Sequence, residues 1–66
     1  MSLMEIYSER AAECRREAAK TTLANVRERC LRSAQAWERM ADDLRAAEVY
    51  RANEAARKAE QTVALN

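Results

Sequence analysis

Cys14 and Cys30 are the residues of this chain best suited to chemistry, and they are its only cysteines. A thiol pair could sense oxidants or staple two helices, with Arg15, Arg16 and Arg29 nearby to favour thiolate. The competing reading is two small apolar residues at a close helix crossing, since free cysteine is among the most buried residue types. Both cysteines fall on the apolar stripes described below, which favours packing. Tyr7 and Trp37 could likewise form a stacking platform for a ligand. An aromatic on the apolar face of an amphipathic helix more often fills a core or an interface. Ten of the twelve basic residues are arginine, in clusters at Arg15-Arg16 and at Arg27, Arg29 and Arg32. Glu13, Glu17 and Glu28 are interleaved with them and neutralise a phosphate-binding face. Asp42 and Asp43 are neighbours on a helix, so their side chains diverge and form no catalytic carboxylate pair.

No catalytic, cofactor or metal site is expected. The chain has no His, and two cysteines are too few for the usual structural zinc sites. No nucleophile has an evident base beside it. With no Gly and no Pro, phosphate-cradling loops and strained catalytic turns lack their usual residue.

The elements that must position these residues are helices. Ala, Glu, Arg, Leu and Met supply much of the chain and are strong helix formers. A first helix is predicted over about residues 4–20. Its apolar positions, Leu3, Tyr7, Ala11, Cys14 and Ala18, follow helical spacing. Ser2, with Glu5 three residues on, matches a capping box. A turn is predicted over about 21–25, where two threonines lower helix propensity. Thr22 or Asn25 is the expected N-cap of the second helix, Asn25 pairing with Glu28. The second helix is predicted over about 25–63.

The organising stretch runs from Val26 to Leu44. Val26, Cys30, Ser33-Ala34, Trp37, Met40-Ala41 and Leu44 recur at helical spacing. A short connection makes the two helices antiparallel neighbours, with paired residue numbers summing to about 44. Cys14 then faces Cys30, Ala18 faces Val26, Ala11 faces Ser33 or Ala34, and Tyr7 faces Trp37. Leu3 or Met4 faces Met40 or Ala41. Small residues oppose small ones near the turn, and large oppose large at the open end.

Beyond Leu44 the first helix has run out while the helical signal continues. Val49, Ala52, Ala56, Ala59 and Val63 follow 3-4-3-4 spacing. Asp42–Arg45, Glu48–Arg51 and Glu54–Lys58 are expected charge pairs. A solvated helix of this length is marginal without packing. The tail stripe is also rotated from the first, whose continuation lands on Arg51 and Lys58.

Sixty-six residues with a formal net charge of +1 make one small domain that needs a staple. Self-association is the leading one. The balanced charge argues against nucleic acid as a partner, and no apolar run approaches the roughly 20 residues of a membrane span. The N-terminus lacks the basic start and apolar centre of a signal peptide, so a cytoplasmic location is expected.

The residues Tyr7-x-x-Arg10-Ala11-x-Glu13-Cys14-Arg15, then Val26-Arg27, Leu31 and Ala34-x-x-Trp37-Glu38-x-Met40-Ala41, carry a resemblance. Residues 7–41 resemble a group of short uncharacterised alphaproteobacterial proteins with a YxxRAxECR…AxxWxx[LM]A pattern. Members often carry Asp-Pro at the start of the second helix, where this chain has Leu23-Ala24. The resemblance implies a helical hairpin and no established activity.

The fold expected is therefore all-α, an antiparallel hairpin with a long second helix, assembling as a dimeric four-helix bundle. Tyr7, Val26, Trp37, Met40, Leu44 and Val49 are the expected core and interface residues. The expected role is a non-enzymatic protein–protein interaction or structural adaptor, with an unidentified protein partner. A redox switch at Cys14 and Cys30 and a nucleic-acid-associated regulator are the alternatives.

Overall fold

A computed structural model describes the backbone of residues 1–65 and the side chains of residues 1–63. It contains two helices, α1 over Leu3–Lys20 and α2 over Ala24–Leu65, and no strand among the described residues. Ser2 caps α1 from an extended backbone (φ −74°, ψ 160°), its side chain accepting the Glu5 N–H at 3.1 Å. Glu5 in the first turn and Lys20 in the last complement the helix dipole.

The connection is shorter than its sequence suggests, and one threonine organises it. Thr21 leaves the helix in an extended conformation (φ −82°, ψ 144°). Its N–H donates to the Glu17 carbonyl at 3.2 Å. Its hydroxyl oxygen accepts the Leu23 N–H at 3.2 Å, and its carbonyl accepts from the Arg27 guanidinium at 2.9 Å. All three polar groups of Thr21 are therefore used, and no residue of the turn adopts positive φ. This answers how the chain reverses without glycine. It also corrects the expected cap. Because Thr21 holds the Leu23 N–H, α2 starts at Ala24, with the Arg27 N–H bonded to the Leu23 carbonyl at 3.0 Å. Thr22 therefore lies before the cap position and Asn25 inside the first turn.

From this turn α2 runs back past α1 and continues beyond it. At 1.5 Å per residue, a helix of 42 residues is about 63 Å long, in line with the 65 Å longest dimension of the molecule. The 18 residues of α1 cover about 27 Å of it.

The two helices meet along a seam of alanines. Among the described residues, Ala11 and Ala18 of α1 and Ala34 and Ala41 of α2 are the buried ones, each 0–4% exposed. Each pair is seven residues apart, which keeps both members on one face of its helix. Methyl side chains allow the axes to approach toward the close end of the usual 8–10 Å. A thin core is the consequence. At about 0.8 kcal/mol for each buried methyl-sized group, four alanines contribute on the order of 3 kcal/mol. Larger side chains flank the seam half-buried: Met4, Tyr7, Cys14, Val26, Leu31, Trp37 and Leu44.

Candidate interaction surface

Tyr7 and Trp37 close the open end of the hairpin. Their rings tilt at 37° with centroids 5.6 Å apart, as paired apolar stripes require. Both remain half-buried, so one side of the aromatic pair faces outward.

Beside the seam, Arg15 and Glu38 form a two-pronged ion pair across the helices. Arg15 Nε donates to Glu38 Oε2 at 2.8 Å, and Nη2 donates to Oε1 at 2.7 Å. The hydrogen bonds, with the attraction between the charges, hold the guanidinium pKa above its ordinary value. On the other side of the pair, the bond from Arg15 holds the Glu38 carboxyl below the usual carboxylate range. Pairing by residue numbers that sum to about 44 would not find this contact, because 15 and 38 sum to 53. The planar fork of arginine meets both carboxylate oxygens at once. Opposite charges flanking two matched stripes were the available signal.

The cysteines are both free and half-buried. Cys30 Sγ donates to Glu17 Oε2 at 3.9 Å, a contact the expected Cys14–Cys30 facing did not include. Two of the three arginines expected to favour thiolate are held by carboxylates. Arg15 is bound to Glu38, and Arg16 lies 3.4 Å from Glu9.

The remaining expected residues separate by position. Val26 and Leu44 are half-buried along the seam, whereas Met40 is 42% exposed because Ala41 takes the inward position. Leu3 is exposed and Met4 half-buried. Val49 (54% exposed), Tyr50 (66%) and Val63 (74%) lie on the part of α2 that α1 does not reach. Ala52, Ala56 and Ala59 between them are exposed as well.

Charge pairing along α2 is local. Asp42 and Arg45 pair as expected, at 2.9 Å. Glu54 turns instead to Arg57, whose fork meets both its oxygens at 3.2 and 3.0 Å, and not to Lys58. A planar guanidinium satisfies two oxygens at once where an ammonium satisfies one. Glu48 and Arg51 form no ion pair among the described residues.

The indentations of the surface are open grooves. One of them runs between the two helices, lined by Ala11, Ala12, Arg15, Glu38, Ala41 and Asp42. Among the described residues no group of three or more His, Cys, Asp or Glu is placed to hold a metal ion. No described helix is long and apolar enough to cross a membrane.

The exposed area gives the scale of what is left over. A compact monomer of 7.5 kDa would expose about 4,250 Å², and this chain exposes 5342 Å². The difference, about 1,100 Å², exceeds the roughly 800 Å² that one partner contributes to an interface of standard size. Comparison with protein-family models, with curated proteins and with solved structures returned no match.

Proposed function

We propose that this chain is a non-enzymatic protein–protein interaction module, a structural or regulatory adaptor that self-associates through α2. The observation that carries the reading is the long unaccompanied half of α2, with Val49, Tyr50 and Val63 facing outward. A lone solvated helix has too little to hold it, and a core of four alanines has little to spare for it. The partner surface belongs to a helix, because an apolar stripe at 3-4 spacing is matched by another of its kind. The open grooves among the described residues support a binding role over a catalytic one, since they leave a bound molecule in contact with water. Arginines held in pairs with carboxylates favour a protein partner over nucleic acid. Two free thiols suit the reducing cytoplasm, where we place the protein. The resemblance of residues 7–41 to small alphaproteobacterial hairpin proteins belongs to the same reading.

Light scattering coupled to size-exclusion chromatography over a hundredfold range of concentration tests it. The expected result is a mass of twice the 7.5 kDa chain that falls toward 7.5 kDa on dilution. A single-chain mass at every concentration overturns self-association.

A further inference from the structure

We infer that two copies pair tail to tail, with their α2 helices antiparallel about a two-fold axis close to Ala56. The inference rests on the self-association proposed above and specifies its geometry. Three observations carry it.

The first is where the room lies. Beyond α1 about 30 Å of α2 is unaccompanied, from near Arg45 to Leu65, and Ala56 is close to its middle. An antiparallel copy centred there, whose α2 ends at Leu65, reaches level with Ala47. It fills the vacant length and stops before α1 begins.

The second is the stripe itself. Val49, Ala52, Ala56, Ala59 and Val63 place a valine at each end and alanines between. The order of residue types reads alike in both directions, which suits an isologous contact, where both copies present the same patch. Antiparallel overlap about Ala56 sets Val49 of one copy against Val63 of the other and Ala56 against its own counterpart, so larger side chains meet at the two ends and small ones at the centre. The flanking positions, Glu48, Asn53, Ala55, Glu60 and Thr62, then bring no like charges together across the axis.

The third is what the same line of α2 becomes nearer the turn. Traced back at 4-3-4 spacing from Val49, the stripe runs into Arg45, Asp42 and Glu38. These charges are ordered there, with Arg45 bonded to Asp42 at 2.9 Å and Arg15 to Glu38 at 2.7 Å. A parallel, in-register pair would stack Arg45, Asp42 and Glu38 on their own counterparts, each facing its own sign. The antiparallel pair keeps both charged lines outside the contact. Charge thus selects the orientation that the stripe permits.

The test uses the full chain with Cys14→Ser and Cys30→Ser, carrying a single new cysteine at Val49 or at Val63. Each variant is treated with a short bismaleimide, alone and after mixing, with helicity followed by circular dichroism. The antiparallel pair predicts covalent dimer only from the mixture, since Val49 of one copy lies near Val63 of the other. Dimer from either variant alone overturns the inference and leaves self-association standing. The unmodified protein supplies a second measurement by small-angle X-ray scattering. An antiparallel dimer has a largest dimension of about 100 Å, two chain lengths less the shared tail. A dimer no longer than the 65 Å of one chain overturns the orientation alone. A monomeric mass overturns both proposals together, which separates that failure from a wrong orientation.

Discussion

The hairpin half of the molecule, residues 3–44, and the tail after it are built from the same few residue types, yet only one of them has an inside. In the hairpin, alanines are buried because a second helix passes over them. In the tail, alanines at the same spacing are exposed because nothing does. The difference teaches that spacing alone does not make a core. A stripe states that a partner is wanted, and connectivity decides whether the chain supplies it.

The strongest way to break the comparison is to damage the tail and watch the hairpin. Ala55→Pro removes a helix hydrogen bond and clashes with the preceding turn, at about 3 kcal/mol to the local helix. Circular dichroism should report lost helix after residue 50 or so, while Trp37 fluorescence keeps the hairpin signal. Cooperative loss of both signals would show that the two halves are one unit. The converse is Trp37→Ala. Full burial would make its cost about 3–5 kcal/mol; half-buried, it should cost about 2 kcal/mol and weaken the hairpin while leaving the tail-to-tail pairing in place. A variant that stays folded but turns monomeric in light scattering would assign Trp37 to the interface alone.

Smaller effects sharpen the contrast. Thr21→Val keeps the shape of the side chain and removes the acceptor of the Leu23 N–H, a loss of about 1 kcal/mol. It should lower the thermal midpoint of the hairpin without changing tail cross-linking. The smallest effect concerns Glu38. The folded carboxyl titrates below its unfolded value, chiefly because of the hydrogen bond from Arg15. Its stabilisation is therefore complete above the ordinary carboxylate pKa and is lost as pH falls through the lowered folded value. Arg15 stays charged throughout. Thermal midpoints at pH 7 and pH 3 should differ less for Glu38→Gln than for the unchanged protein, and added salt should narrow the gap, since the pair is exposed.

How much of this could be read beforehand differs from residue to residue. The two helices followed from composition, and the Tyr7–Trp37 contact followed from matching stripes, because periodicity is a property of the chain itself. The cap of α2 did not follow. Thr22 and Asn25 are both good capping types, and what displaced them was Thr21 bonding two residues ahead, a choice between local alternatives of nearly equal energy. The Arg15–Glu38 pair was hidden for another reason. Its residue numbers sum to 53, away from the value of about 44 that the position of the turn predicts, so the expected register did not bring the two together. The inward choice of Ala41 over Met40 likewise depends on how closely the helices approach, which spacing does not specify.

One feature of α2 reaches further. It is an unbroken helix with neither Gly nor Pro, from Ala24 to Leu65, and its two stripes are offset around the axis by roughly a quarter of a turn. The offset is a matter of phase, fixed by the number of residues between Leu44 and Val49. Losing one codon at Ala46-Ala47 would swing the tail back by about 100°, bringing both stripes into one line and presenting α1 and the partner with a single shared face. Gaining one would set the stripes nearly opposite. The adjacent alanines thus act as an index mark: partner geometry at one end of the rod can be reset by a change that removes no contact in the hairpin at the other.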